Sequence, residues 1–420
     1  MRGSTRCAAL ATTLLIALAG CSSGGDEPGD EQKPGSSPST VAQLPVGEPF
    51  GEAKWSIDIS GQGGESADSV GDDEDSDSSV MVLPDNLLTV QGSEVHSYAP
   101  DGKEQWTAPV ELFASDDRTT GDEGLMFPLF RQVSDDVVAL IDEGSVEGEG
   151  IEESNYTARV SLISLSDGTV KKVDVAGTDS DSPELLPYGL AFKMPEQENT
   201  YTIVKADGTT EEKTSETSFF GVIGETPVSA VANPKADDSA YAEEETPDFD
   251  FGAWATNDDP PLKKYSGVSL DAFDDETVLV TWVLSNAASD DPTQSHTRLI
   301  TAATGEVVVD KVECTSSSDT EFVTSPNGET RIAGSLRIGS DGTAQCAGGG
   351  ENEEEVTLEA VADDGTAFGY ASTDARVTFL PDGKVETSDP VEDQADLIGI
   401  MTGGIAIHTD DGLLTGNPIK

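Results

Sequence analysis

Two tryptophans each stand four residues after a turn glycine, in Gly51-Glu52-Ala53-Lys54-Trp55 and, 51 residues further on, in Gly102-Lys103-Glu104-Gln105-Trp106. The turn recurs without its tryptophan at Asp167-Gly168, Asp207-Gly208, Thr304-Gly305, Asp341-Gly342 and Asp382-Gly383. Counted from Gly51, the intervals between these glycines are 51, 66, 40, 97, 37 and 41 residues, and 97 is close to two ordinary steps. A period of about 40 to 50 residues is that of a four-stranded unit, which cannot bury both faces alone and must pack beside further copies around an axis.

The rest of the chain agrees with an all-β fold. Its 43 glycines and 22 prolines, and the lack of any long stretch with apolar residues at helical spacing, argue against helices. Short apolar or alternating runs such as Leu87-Leu88-Thr89-Val90, 277–283 and Arg376-Val377-Thr378-Phe379-Leu380 read as strands. In the run from Glu94 to Trp106 a strand ends at the Asp101-Gly102 turn and the next strand leads to the tryptophan. This unit resembles the repeat of pyrroloquinoline-quinone-type (PQQ-like) β-propellers, whose tryptophan packs between neighbouring blades. The resemblance implies that Gly51, Trp55, Gly102 and Trp106 are blade-packing residues, and that residues 46–420 form a seven- or eight-bladed β-propeller. The strand from Lys54 to Ile59 has no blade before it, while the run from Leu397 to Asn417 looks like a blade short of its last strand. The first strand is expected to complete that last blade. The Pro-, Asp- and Glu-rich segment 219–261 is either a degenerate blade or an insertion, and two β-sandwiches in tandem remain the alternative architecture.

The first residues carry an address. After Arg2 and Arg6, an apolar stretch from Ala8 to Ala19 is too short to span a bilayer and suits a signal-peptide core. It ends in Leu18-Ala19-Gly20-Cys21, which resembles the lipobox of bacterial lipoproteins. The resemblance implies a signal peptide over 1–20 and a lipid on Cys21, and two acyl chains make a stable anchor where one is marginal. From Cys21 to residue 45 the chain is Gly, Ser, Pro, Asp and Glu with few apolar residues, the composition of a disordered linker. The expected location is the extracytoplasmic face of a bacterial cell membrane. The acidic, Gly- and Thr-rich composition with lysine exceeding arginine points to an actinobacterial envelope.

Charge excludes one class of partner. With 23 basic against 81 acidic residues the formal net charge is −58, a surface that repels nucleic-acid phosphates and anionic lipid headgroups. The runs at 72–75, 243–245 and 353–355 lack the alternating ligands and central glycine of an EF-hand loop and read as solvating loops. Of the four cysteines, only Cys314 and Cys346 fall in the expected folded part, an even pair that outside the cytoplasm is most simply a disulfide. Their spacing matches neither a Cys-x-x-Cys redox motif nor a zinc pattern.

No catalytic motif stands out. Resemblance to quinoprotein propellers raises a quinone-dependent dehydrogenase with calcium, but such enzymes use adjacent cysteines and a fuller set of tryptophans. Here the cysteines lie far apart and the tryptophans are Trp55, Trp106, Trp254 and Trp282, so neither PQQ nor calcium is expected. His96, His296 and His408 sit in no metal or hydrolase motif, and no metal site is expected. The expected function is a non-catalytic binding platform for an envelope protein, since propellers present rigid faces of variable loops. A soluble-ligand or glycan-binding sensor is the second expectation.

Overall fold

The computed structural model describes residues 41–59, 80–114, 128–146, 155–178, 183–186, 189–194, 200–214, 323–348, 356–371, 375–389, 394–410 and 412–420. Between 215 and 322 it describes short lengths of strand backbone. Cys21, the signal peptide, Gly305 and the three acidic runs lie outside the described residues.

Every described element is a strand, and the strands form successive antiparallel meanders. The first, β1 (Trp55–Asp58), stands apart from the meander that follows it. Sheet one is β2 (Val80–Val82), β3 (Leu87–Gln91), β4 (Glu94–Tyr98) and β5 (Glu104–Pro109). Sheet two is β6 (Leu129–Ser134), β7 (Val137–Val146), β8 (Asn155–Ser164) and β9 (Val170–Ala176). Sheet three is β10 (Glu184–Leu186), β11 (Gly189–Lys193), β12 (Thr200–Lys205) and β13 (Thr210–Thr214). Within 219–261 the described backbone makes two small pairs, β14 (Val222–Ile223) with β15 (Thr226–Pro227) and β16 (Ser229–Val231) with β17 (Asp248–Asp250).

Sheet four is β18 (Val268–Ala272), β19 (Thr277–Val283), β20 (Ser295–Thr301) and β21 (Val307–Cys314). Sheet five is β22 (Val323–Thr324), β23 (Thr330–Ala333), β24 (Leu336–Gly339) and β25 (Ala344–Cys346). Sheet six is β26 (Val356–Val361), β27 (Ala367–Ala371), β28 (Arg376–Phe379) and β29 (Val385–Ser388). The closing sheet takes β30 (Asp396–Met401), β31 (Ile405–Asp410) and β32 (Leu413–Pro418) from the end of the chain, and its fourth strand is β1. The register runs from Trp55 opposite Gly416 to Asp58 opposite Leu413.

Among the described residues, apolar clusters join sheets one, two and three in series, and sheets five, six and the closing sheet in series. Leu88 and Val95 of sheet one pack with Phe130 and Leu140 of sheet two, and Val160 of sheet two with Leu190 and Phe192 of sheet three. Ile332 of sheet five meets Leu358 and Phe379 of sheet six, and Phe368 of sheet six meets Leu397 and Ala406 of the closing sheet. Trp55, Ile407 and Leu414 of the closing sheet pack on Leu87 of sheet one, which returns the series to its start. A series of four-stranded meanders whose last member packs on the first is the arrangement of a β-propeller. The second strands β3 and β11 are almost wholly buried, whereas the outermost strand β13 alternates and β29 is exposed throughout.

The closing strand is held by more than its ladder. Residues 41–45, assigned by composition to the linker, lie against the sheets. The Ala42 amide donates to the Ser56 hydroxyl, Gln43 and Ala53 exchange hydrogen bonds, and Leu44 joins Val46 and Phe50 in the apolar cluster between sheet six and the closing sheet. Three apolar residues at 44, 46 and 50 suffice to dock a segment whose overall composition is polar.

Candidate functional site

The outermost strand of each sheet carries one position that decides how the sheet meets its neighbour. In sheet one the turn after β4 closes with the Ala99 amide donating to the Lys103 carbonyl, and two residues before Ala99, Ser97 pairs across the ladder with Trp106. The same position, found from turn and register, is Trp55 opposite Gly416 in the closing sheet and Lys171 opposite Leu162 in sheet two. It is Glu211 opposite Ile203 in sheet three, Gln345 opposite Arg337 in sheet five and Glu386 opposite Thr378 in sheet six.

Four of these side chains dock on the next sheet's outer turn. Trp55 does not cover its own Gly51; it lies on Gly102 of sheet one, and its Nε1 donates to the Pro100 carbonyl at 2.9 Å. Trp106 lies on Gly168 of sheet two, where an added Cβ would come within 2.8 Å of the ring, and its Nε1 donates to the Leu165 carbonyl at 2.9 Å. Both glycines have φ near +70 to +77°, so a side chain there meets backbone strain as well as the indole. Lys171 repeats the arrangement with other atoms: its aliphatic stem covers Gly208 of sheet three and its ammonium donates to the Asp207 carbonyl. Gln345 reaches Gly383 of sheet six, beside Arg337, whose guanidinium donates to the carbonyls of Gly365, Leu380 and Pro381. The shared feature is an apolar stem or ring with an N–H donor at its tip.

Sheets three and six carry a carboxylate there instead, and in sheet three it is Glu211, paired with Lys205 at 2.7 Å. In sheet six the facing turn is described as well. The docking position of that sheet holds Glu386, which is exposed and paired with Lys384. The facing turn is made from both ends of the domain, with the Gly51 amide donating to the Pro418 carbonyl at 2.8 Å and the Lys420 amide to the Pro49 carbonyl at 3.1 Å. Between them lies a cleft of about 660 Å³. Ala362, Phe368, Leu380, Pro49 and Ile419 supply its apolar lining, and Glu48, Asp363, Asp364 and Glu386 its acidic rim, with Lys420 as the one lining cation. Lys420 is already engaged with Glu48 at 2.8 Å.

A layer of buried polar groups lies in the same junction. Arg376 is 2% exposed; its Nη2 donates to the Tyr370 hydroxyl at 3.3 Å, and the guanidinium stands 5.0 Å from the Phe50 ring centre. With its side-chain oxygen facing Arg376, Gln394 accepts from Nε at 3.0 Å. Burial, reinforced by Asp396 and opposed by Arg376, pushes the Glu359 carboxyl up to about 8, so it is protonated at neutral pH. Burial, and then the Arg376 charge, push His408 down to about 3. Its ring meets Phe50 edge-on at 4.6 Å, and Asn417, which also bonds the Gly51 carbonyl and the Thr415 hydroxyl, stands beside it and opposes the shift. These groups position Phe50, and through it the N-terminal arm, beside the cleft.

No protein-family model matches the chain, and no curated protein sequence matches it. Among solved structures, the N-terminal domain of Nup159 is similar at 11% identity over 90% of this chain and 99% of that one, with a TM-score of 0.34. The WD40 domain of Neurospora crassa Pan2 is similar at 10% identity over 81% and 88%, with a TM-score of 0.35. The β-propeller domain of the Trilobed protease from Pyrococcus furiosus is similar at 11% identity over 67% and 91%, with a TM-score of 0.33. At such scores the ring is defined by this chain's own sheet order and inter-sheet packing.

The remaining expected residues scatter. His96 sits on β4, a middle strand of sheet one, its Nδ1 2.7 Å from the Glu104 carboxylate, the buried His408 sits on β31 of the closing sheet, and the side chain of His296 lies outside the described residues. Among the described residues no three metal-ligating side chains converge. Cys346 is disulfide-bonded on β25, and β25 packs against β21, the strand that ends at Cys314. Sequence reasoning missed Lys171, Gln345, Glu386, the buried Arg376 and the partly buried Glu359, and it did not anticipate the burial of His408. A signal for the first three existed: each stands three residues after one of the turn glycines, where tryptophan stands four after Gly102.

Proposed function

We propose that this chain is a lipid-anchored, extracytoplasmic β-propeller that acts as a non-catalytic binding platform for a cell-envelope partner. The observation that carries this reading is the cleft between sheet six and the closing sheet, an apolar floor under an acidic rim, set in a junction built from rigid sheets rather than from a long loop. A preformed concave surface binds without a large ordering cost. On this reading Cys21 bears the lipid, Cys314 pairs with Cys346, the propeller is of the PQQ-like type with seven or eight blades, and no cofactor is required. The size of the cleft, within the range of about 300 to 1,000 Å³ usual for small-molecule sites, supports a soluble-ligand or glycan sensor as the second reading.

The test is chemical cross-linking on intact cells, purification of the lipidated protein and mass spectrometry of what accompanies it. One envelope protein recovered near stoichiometry supports the platform. Absence of any reproducible partner, together with a thermal shift on adding a sugar or metal ion, replaces it with the sensor.

A further inference from the structure

The docking position of sheet six holds a carboxylate, as that of sheet three does at Glu211, whereas the other four described positions hold N–H donors. Trp55, Trp106, Lys171 and Gln345 each lay a stem or ring on the neighbouring turn and present N–H donors at the tip. Glu386 cannot do this, because a carboxylate only accepts hydrogen bonds and an acceptor aimed at turn carbonyls is repelled. It is paired with Lys384 in the preceding turn, and a 660 Å³ cleft lies beside it.

We infer that this cleft receives, from a basic segment of a partner polypeptide, the kind of side chain that the chain's own strands supply elsewhere. The occupant is a tryptophan flanked by arginines or lysines. Three features select it. Phe368, Leu380 and Ile419 offer an apolar floor for an indole. Glu48, Asp363, Asp364 and Glu386 outnumber the one lining cation, so flanking positive charge is attracted and an acidic segment is excluded. Two of these carboxylates are held in place, Asp363 accepting from the Asn327 amide at 2.9 Å and Asp364 from the Thr366 amide at 2.9 Å, which leaves each with free acceptor capacity toward the cleft mouth. The chain's overall charge of −58 adds a long-range attraction for such a segment, but that term is not specific to the cleft.

This inference rests on the platform reading and names its partner chemistry. The test uses the full-length chain and the blocked peptide Gly-Arg-Trp-Arg-Gly, with Gly-Arg-Ala-Arg-Gly as its counterpart of equal charge, titrated at physiological ionic strength. Binding of the tryptophan peptide at least tenfold tighter than that of the alanine peptide is expected. Two substitutions of equal charge change then separate filling from charge: Glu386→Trp should raise the melting temperature and weaken the tryptophan peptide at least tenfold, while Glu386→Gln should leave its affinity within about twofold. Should Glu386→Trp not fold, a peptide with a photoreactive group in place of the indole is cross-linked to the unmodified chain, with attachment expected within 362–368, 380–388 or 404–420. Equal binding of the two peptides, unchanged binding to Glu386→Trp, or cross-links confined to other regions each overturn the inference. Recovery of an envelope partner from cells that binds equally well to Glu386→Trp would retain the platform and reject the cleft as its site.

Discussion

The indole of Trp55 lies on Gly102, 47 residues further along the chain, and its Nε1 donates to the Pro100 carbonyl at 2.9 Å. This contact joins the strand that closes the ring to the sheet that begins it, so a local turn glycine and a local tryptophan become one long-range joint. Gly102→Ala should therefore cost about 2 to 4 kcal/mol, more than backbone strain alone, because the new methyl group meets the ring. Gly342→Ala, at a similar φ but with open space around the added Cβ, should cost only about 1 kcal/mol. Urea denaturation of the two variants checks the difference; equal costs would show that Trp55 bears no weight on Gly102.

Closure by β1 should be required for folding. Val46, Phe50, Trp55 and Ile59 are all buried, and at about 1.5 to 3 kcal/mol for each large apolar side chain their loss is comparable to the whole stability of a typical domain. A chain starting at residue 60 is expected to unfold or to associate through the bared edge of β32, read by circular dichroism and light scattering. Adding a peptide of residues 41–59 should restore a monomer. A stable monomer without it would contradict the closure.

Glu359 and His408 should limit stability from opposite sides of neutral pH. The folded pKa of Glu359 is raised to about 8, so its contribution is complete below the ordinary carboxylate range and is lost as pH rises toward 8. The folded pKa of His408 is lowered to about 3, so its contribution is complete above the ordinary imidazole range and is lost as pH falls toward 3. Glu359→Gln is expected to stabilise by on the order of 2 kcal/mol at pH 8 and to change little at pH 4. His408→Phe should show the reverse, and melting curves of both variants at the two pH values test the assignment.

The disulfide at Cys346 predicts no free thiol in the denatured, unreduced mature protein. With Cys314 as its partner the closed loop spans 32 residues, and Cys314→Ser should cost about 3 to 4 kcal/mol on the chain-entropy account. A titratable thiol in the unreduced protein would rule the pairing out.

Cys21→Ala is expected to move the protein from the membrane fraction to the medium while leaving its melting temperature unchanged. Retention in membranes after a high-salt wash would remove the lipid from the account.

Turn chemistry was legible in the residues. Gly102, Gly168, Gly208, Gly342 and Gly383 all take positive φ between consecutive strands, as an Asp-Gly or Pro-Asp-Gly sequence directs locally. The orphan strand near Trp55 and the incomplete meander at the C-terminus also pointed to each other, because a three-stranded remainder leaves an unpaired edge that a ring cannot keep. Less was legible at 219–261, where the described backbone makes two short pairs instead of a four-stranded sheet. The docking series was half legible: tryptophan is conspicuous, whereas Lys171 and Gln345 do the same task with residue types common on any surface.

By itself the sequence determined strand, turn and period, because these depend on the φ preferences and alternation of neighbouring residues. Only the tertiary structure decided which turn each tryptophan covers, that Glu386 lines a cleft, and that Arg376 and His408 are buried beside the partly buried Glu359. Those outcomes depend on which surfaces meet across the ring, and burial, which sets both packing and charge state, is a property of the meeting surfaces and not of any residue alone.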